Sequence, residues 1–220
     1  MAFKHWSNGG TSVFSLLALV VGLTIGTPAS ADPVKIVAFG DSLMAGYQLG
    51  PDEGFAPRLE AALREKGYEA EVANGAVSGD TTSGGKARLD WTVPDDTDLV
   101  LVELGANDML RGLPPENAKA NLDAILARLT EREIAAILFG MRAAPQLGAG
   151  YVEKFESIYP TLAEEYEIPL VPFFLEGVAA NRDRLLDDGM HPNPAGVSTM
   201  VENVLPVVTE AIDTIDGRSD

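Results

Sequence analysis

The sequence contains no cysteine and only two histidines, His5 and His191. Without thiols the protein has no disulfides, no cysteine nucleophile and no zinc or iron–sulfur site built on cysteine. A single histidine beyond the N-terminal region is also too few for the usual ligand sets of a two-metal phosphoesterase. Stability must therefore come from a hydrophobic core, and any chemistry must use the side chains that remain.

Positive charge is scarce as well. The chain has 16 Lys and Arg against 33 Asp and Glu, which gives a formal net charge of −17 at pH 7. A field of this sign repels nucleic acid and anionic membrane surfaces. We therefore expect no nucleic-acid partner. The charge is open to two interpretations, a preference for neutral or cationic partners and simple solubility outside the cytoplasm.

The first 31 residues have the pattern of a secretory signal peptide. A short, weakly positive start precedes the apolar core Val13–Ile25, and Ala29–Ala31 forms a small-residue cleavage site. The apolar run is short for a membrane span, and a retained N-terminal anchor is the alternative. Cleavage leaves residues 32–220 as a single domain. We expect an exported monomer, periplasmic or secreted, with no stable membrane insertion after cleavage.

Short apolar runs alternate with helical patterns in the rest of the chain. Runs with little polar alternation, typical of buried parallel strands, predict strands at Val34–Phe39, Ala70–Ala73, Leu99–Leu104, Ile134–Phe139 and Leu170–Val171. Apolar residues at three- to four-residue spacing predict helices at Phe55–Lys66, Pro115–Glu131, Tyr151–Glu167 and Pro194–Ile215, the last kinked or split at Pro206. The alternation predicts one three-layer α/β/α domain around a parallel sheet.

Small and polar residues follow each predicted strand. These segments are Gly40–Ser42, Asn74–Asp80, Gly105–Asp108, Gly140–Arg142 and, beyond a short helical stretch after the fifth strand, Asp187–Asn193. Sites in open α/β sheets form at the carboxyl ends of the strands, so we expect these segments to meet at one edge of the sheet.

The histidine at position 191 is the candidate general base, because imidazole transfers protons near neutral pH. Asp188 lies three residues earlier, a spacing that can bring its carboxylate beside the ring on a turn. Ser42, where the first strand gives way to a helix, is the candidate nucleophile. The alternatives are an incidental surface histidine and a serine that only caps a helix. Asp41 is interpreted as structural support only.

Acyl transfer also needs hydrogen-bond donors for an oxyanion. A tight turn at Gly79 can present its backbone N–H, and Asn107 can offer its side-chain amide. The N–H of Ser42 makes a third candidate donor. Each residue alone is as well explained as an ordinary loop residue. Their joint position at the ends of successive strands favours a serine hydrolase.

Four ordered blocks resemble the SGNH, or GDSL, hydrolase family: "FGDSLMAGY", "NGAVSGDTTSGG", "LVELGANDMLRG" and "DDGMHPN". The stretches between them are similar to its bacterial arylesterase and periplasmic thioesterase I/lysophospholipase branch. The resemblance implies a catalytic triad of Ser42, Asp188 and His191 and an oxyanion hole of Ser42, Gly79 and Asn107. It also implies a flavodoxin-like five-stranded parallel sheet of order 2-1-3-4-5, with no cofactor and no metal.

The activity that the resemblance implies is that of a serine esterase or thioesterase. Its expected substrates are aryl esters, acyl thioesters and lysophospholipids, cleaved through an acyl-serine intermediate. The loops Met109–Pro114 and Arg142–Gly148 are equally consistent with an acyl groove and with ordinary surface connections. Two other classes stay open: a carbohydrate O-deacetylase on the same fold, which needs a shallow polar cleft, and a non-catalytic ligand-binding module of flavodoxin-like shape.

Overall fold

A computed structural model describes residues 1–5, 32–215 and 217. The chain divides into the units Met1–Ser30 and Ala31–Asp220. Most of the predicted signal peptide, with its cleavage site, lies in residues 6–31 and so outside the described residues. In the part of the chain that the structure describes, no helix has both the length and the apolar character needed to cross a membrane.

The second unit is built on one five-stranded parallel sheet of order β2-β1-β3-β4-β5, which confirms the predicted order. All residues of the central strand β3 are buried, as expected for a strand with neighbours on both sides and helices on both faces. The strands are β1 (Val34–Phe39), β2 (Ala70–Asn74), β3 (Leu99–Val102), β4 (Ala135–Phe139) and β5 (Leu170–Val171).

Helices cover the sheet and confirm the three-layer arrangement. Helix α2 packs on α8, while α5 packs on α3, α6 and α7. The helices are α1 (Ser42–Ala45), α2 (Phe55–Glu65), α3 (Thr82–Thr92), α4 (Ala106–Leu110), α5 (Pro115–Glu131), α6 (Ala149–Glu156), α7 (Ile158–Glu165) and α8 (Pro194–Ile215).

An aromatic cluster joins α2 to the sheet. Phe55, Phe139 and Phe174 are fully buried, and their ring centroids lie 5.1 to 6.4 Å apart in edge-to-face pairs. This arrangement places the positive ring edge against the negative ring face. Truncating one of these side chains to alanine would cost about 3–5 kcal/mol, because the packed interior cannot close over the cavity.

The prediction of a single helix over Tyr151–Glu167 is wrong. Helix α6 ends at Glu156 and α7 begins at Ile158. Pro160 lies in the first turn of α7, where a missing N–H costs nothing. In a continuous helix its ring would clash with the carbonyl of Glu156, four residues earlier.

Of the two outcomes predicted for Pro206, a kink or a split of the last helix, the split is wrong, because α8 runs without interruption through this residue. Proline removes the N–H that would bond to the carbonyl of Glu202. Both Pro206 and Glu202 are exposed. Solvent can therefore satisfy the carbonyl, and the helix continues.

Helix α3 was not predicted at all. Its sequence contains two glycines, which are poor helix formers, and a buried arginine where an apolar stripe is usual. The helix begins at Thr82 after Thr81, whose hydroxyl accepts a hydrogen bond from the N–H of Gly84. A Cβ atom at Gly84 would come within 2.5 Å of the Asp80 carboxylate. The glycine therefore permits a close approach between α3 and the loop before it.

Candidate active site

Ser42, His191 and Asp188 form a continuous hydrogen-bonded series at the carboxyl edge of the sheet. Nε2 of His191 lies 3.0 Å from Oγ of Ser42. Nδ1 of the same ring lies 2.6 Å from Oδ2 of Asp188. The structure thus brings together the three side chains singled out in the sequence, in the order hydroxyl, imidazole, carboxylate that serine hydrolases use.

The position of Ser42 follows from the way β1 ends. The strand stops at Phe39, and Ser42 is the first residue of the short helix α1. The carboxylate of Asp41 accepts the N–H of Leu43 at 3.0 Å and caps this helix. The side chains of Leu43 and Met44 are buried, so they anchor the turn while Ser42 lines the cleft.

A tight turn before α8 holds His191. The N–H of Leu186 donates to the carbonyl of His191 at 2.8 Å. Asn193 then starts α8, because its side-chain oxygen accepts the N–H of Gly196 at 3.0 Å. The structural role of Asn193 was not foreseen, although an asparagine just before a predicted helix is a recognisable capping signal.

Asp188 is held by the backbone of the same turn. Its Oδ1 accepts the N–H of Met190 at 2.9 Å and that of His191 at 3.0 Å. The backbone N–H of His191, then its imidazole, then the N–H of Met190 lower the pKa of Asp188 to about 2. The carboxylate is therefore ionised near neutral pH and can stabilise a protonated imidazole.

The three candidate oxyanion donors, Ser42, Gly79 and Asn107, line one cleft. Gly79 has a φ of +84°, a conformation that favours glycine. Its carbonyl accepts a hydrogen bond of 2.7 Å from the guanidinium of Arg111. Asn107 donates one amide hydrogen to Oδ2 of Asp41 at 2.8 Å, which leaves the second amide hydrogen for a ligand.

A buried carboxyl pair adjoins these donors through Asp41, which accepts the hydrogen bond from Asn107. Asp41 and Glu103 are both fully buried, and the N–H of Asp41 donates to Oε2 of Glu103 at 3.2 Å. Burial raises the pKa of Asp41 to about 6, and burial together with the charge of Asp41 raises the pKa of Glu103 well above its usual range. The interpretation of Asp41 as structural support only therefore omitted its contact with Asn107.

A cleft of about 670 Å³ opens beside Ser42. The ring of Tyr47 lies against that of His191, with 4.4 Å between the centroids. Residues of both loops that the sequence left open between two interpretations, Met109–Pro114 and Arg142–Gly148, line this cleft, which favours the acyl-groove interpretation. The apolar side chains that line the cleft are Leu43, Tyr47, Ala106, Met109, Leu110, Met141, Ala143, Ala144, Phe173, Leu175, Ala179, Ala180, Leu185 and Met190.

The chain is similar in sequence to several bacterial esterases. It is 40% identical to an arylesterase of Vibrio mimicus over 190 residues, which cover 86% of this chain and 94% of the relative. It is 34% identical to esterase TesA of Pseudomonas aeruginosa over 88% of this chain and 96% of the relative. It is 36% identical to thioesterase 1/protease 1/lysophospholipase L1 of Escherichia coli K12 over 82% of this chain and 86% of the relative.

Solved structures of esterases are similar to this chain as well. The crystal structure of TesA aligns with a TM-score of 0.76 at 34% identity, over 80% of this chain and 99% of that one. AlinE4, an SGNH-hydrolase family esterase, aligns with a TM-score of 0.70 at 46% identity, over 83% of this chain and 98% of that one. The model of the GDSL-like lipase/acylhydrolase family matches residues 38–198. The chain belongs to this family, the SGNH hydrolases, and the resemblance stated from its motifs is confirmed.

Proposed function

We propose that the protein is a carboxylic ester hydrolase that cleaves acyl esters and thioesters through an acyl-enzyme on Ser42. The observation that carries the proposal is the 3.0 Å contact between Ser42 Oγ and His191 Nε2, with Asp188 on the other ring nitrogen. Membership of the family, and relatives named arylesterase and esterase, support the same activity.

Proton transfer opens the proposed reaction. The Asp188 carboxylate accepts Nδ1–H of His191 and so selects the tautomer whose Nε2 lone pair faces the serine hydroxyl. His191 removes the proton as Ser42 Oγ attacks the acyl carbonyl carbon. The imidazolium that forms is stabilised by the ionised Asp188.

The carbonyl oxygen then becomes an oxyanion. The backbone N–H groups of Ser42 and Gly79 and the free amide hydrogen of Asn107 are the proposed donors. His191 next gives its proton to the leaving alcohol or thiol as the bond to the acyl carbon breaks. A water molecule, deprotonated by the same histidine, attacks the acyl carbon. The bond between that carbon and Ser42 Oγ then breaks, Oγ takes the proton back from His191, and the acid is released. No cofactor enters this scheme.

The cleft indicates the kind of acyl group. Its volume of about 670 Å³ and its mostly apolar walls suit an acyl chain or an aryl group. Aryl esters and acyl thioesters are therefore the proposed substrates, with lysophospholipids as a further class. A carbohydrate O-deacetylase, the second candidate, would be better served by a shallow polar cleft. A binding module would leave the Ser42–His191–Asp188 geometry without purpose.

Export is proposed on the sequence pattern alone. Residues 1–31 would be removed as a signal peptide, and residues 32–220 would act as a monomer in the periplasm or outside the cell. Mass spectrometry of the protein recovered from those fractions should then give an N-terminus at Asp32. A protein that retains residues 1–31 would support the membrane-anchor alternative.

A substrate panel tests the proposed activity. Wild-type protein and Ser42→Ala would be compared on p-nitrophenyl esters from C2 to C16, acyl thioesters, lysophosphatidylcholine and acetyl-xylan. We expect hydrolysis of the apolar acyl substrates by the wild type only. Preferential release of acetate from acetyl-xylan would favour the deacetylase instead, and equal rates for the two proteins would contradict a serine mechanism.

A further inference from the structure

Helix α3 supplies no member of the proposed triad or oxyanion hole, yet buried polar side chains connect it to the segments that carry the donors. Its Arg88 is 8% exposed. The guanidinium donates to the carbonyl of Gly40 at 3.0 Å, to the carbonyl of Gly75 and to the carboxylate of Asp80 at 2.5 Å. Its central carbon lies 4.2 Å from the centroid of the Phe39 ring.

The partners of Arg88 adjoin two of the three donors. Gly40 lies two residues before Ser42, and Asp80 follows Gly79 directly. One side chain therefore holds the loop after β1 and the loop after β2 in a fixed relation. The carbonyl of Gly40 also accepts the N–H of Val77 at 3.0 Å, so the guanidinium reinforces a backbone contact between the same two loops.

The first turn of α3 reaches the third donor. Thr82 donates its backbone N–H to Asp108 at 2.8 Å and its hydroxyl to the same carboxylate at 2.7 Å. Asp108 follows Asn107 directly in α4, and both Thr82 and Asp108 are buried. The helix is thus hydrogen-bonded to the neighbourhood of all three proposed donors.

We propose that Arg88 is a positioning residue, which holds the N–H groups of Ser42 and Gly79 at the separation that the oxyanion requires. This inference rests on the proposed function. A planar guanidinium is suited to hold two loops together, because its N–H groups point in fixed directions and can bind three acceptors at once. A displacement of catalytic groups by about 1 Å can cost about 10²-fold in rate. An arginine that served stability alone would leave kcat unchanged.

The test compares Arg88→Met with a matched control, Arg132→Met. The side chain of Arg132 is 8% exposed, against 9% for that of Arg88, and it also binds a backbone carbonyl and a carboxylate, those of Val93 and Asp95. These partners precede β3 and so lie at the opposite edge of the sheet from the site. The two substitutions thus remove similarly buried guanidinium groups from opposite ends of the domain.

Steady-state kinetics on p-nitrophenyl butyrate give the main readout. We expect Arg88→Met to lower kcat by about 10- to 10²-fold with KM changed less than about twofold, since the donors act in the transition state. Arg88→Lys, which keeps the charge but not the fork, should fall between Arg88→Met and wild type. Arg132→Met should keep kcat within about twofold, although both methionine variants lower the melting temperature.

Equal kcat values for Arg88→Met and Arg132→Met would overturn the inference. If Arg88→Met does not fold, Arg88→Lys decides, and a wild-type kcat in that variant would overturn the inference as well. Ser42→Ala separates this result from the proposed function. Activity that persists in Ser42→Ala would contradict the serine mechanism, whereas an inactive Ser42→Ala beside a fully active Arg88→Met contradicts only the role of Arg88.

Discussion

The side-chain amide of Asn107 donates a 2.8 Å hydrogen bond to the buried carboxylate of Asp41, the residue directly before Ser42. The other carboxylate oxygen of Asp41 accepts the N–H of Leu43. One carboxylate therefore fixes both the turn that presents the proposed nucleophile and the amide proposed to bind the oxyanion. The distance between nucleophile and donor is thus set by a residue outside the proposed triad and oxyanion hole.

Replacing Asp41 by asparagine should impair turnover. Leu43 and Asn107 donate to different oxygens of the Asp41 carboxylate, so in asparagine one of these two donors would face the NH₂ group instead of an acceptor. We expect kcat to fall by about 10-fold or more while KM changes little, because a misaligned oxyanion donor weakens transition-state binding. Steady-state kinetics measure this directly. Wild-type kcat in a folded Asp41→Asn protein would contradict the role of Asp41.

The same variant should change how stability depends on pH. Burial raises the pKa of Asp41 from 3.8 to about 6, so the folded protein binds more protons than the unfolded chain in this window. The stability from this group is present below about pH 4 and is lost as pH rises through 6. Asp41→Asn removes that loss. The melting temperature of Asp41→Asn minus that of wild type should therefore increase as pH is raised from 4.5 to 8. A difference that stays constant over this range would contradict this account.

Asn107→Ala should reduce kcat by about 10²–10³-fold, the usual cost of removing one oxyanion donor. Asn117→Ala, an exposed residue of α5, is the matched control and should retain activity within about twofold. Rates on a short aryl ester give the comparison. A rise in KM with kcat unchanged would indicate that Asn107 binds the ground state instead.

Asp188 and its neighbour Asp187 offer a sharp contrast. Asp188→Asn should lower kcat by about 10³–10⁴-fold, because an amide can hold the wrong tautomer of His191. Asp187→Asn, which removes the same charge one residue away, should remain active. The pKa of Asp188 lies near 2, so its stabilising effect is present above about pH 4 and is lost as pH falls through 2. Activity in both variants would remove Asp188 from the mechanism.

The acyl cleft predicts a change in chain-length preference. Ala179 lines the cleft and is exposed, so Ala179→Trp should narrow the groove. We expect kcat/KM for C10 to C16 esters to fall more than tenfold relative to that for acetate esters, as long chains lose their apolar contacts. Ala61→Trp, on the exposed side of α2, is the control and should leave the profile unchanged. A parallel loss across all chain lengths would argue against an acyl groove here.

Much of the fold could be predicted from local sequence patterns. The strand runs and the helix at Pro115–Glu131 were readable because apolar spacing and capping signals are local properties. The strand order was implied by resemblance and is confirmed. Ser42, Gly79 and Asn107 could be singled out because each lies in a segment that follows a strand, and parallel strands bring their carboxyl ends to one edge. His191 could be singled out as the one histidine beyond the N-terminal region, and Asp188 by its spacing from it.

The contacts that position the site could not be predicted in the same way. Arg88 binds the carbonyl of Gly40, 48 residues away, and Asn107 binds Asp41, 66 residues away. A buried polar pair leaves no periodic signal in either segment. The glycines and the buried arginine of α3 even concealed the helix, because they serve close packing and hydrogen bonding rather than helix propensity.

Covalent labelling tests the central claim most directly. The wild-type protein, Ser42→Ala and Ser78→Ala would be treated with a fluorophosphonate, and the adduct mapped by mass spectrometry. Ser78 lines the same cleft and serves as the control. The contact between Ser42 and His191 predicts one adduct, on Ser42, in the wild type and in Ser78→Ala, and none in Ser42→Ala. An unlabelled Ser42, or labelling that persists in Ser42→Ala, would contradict the account.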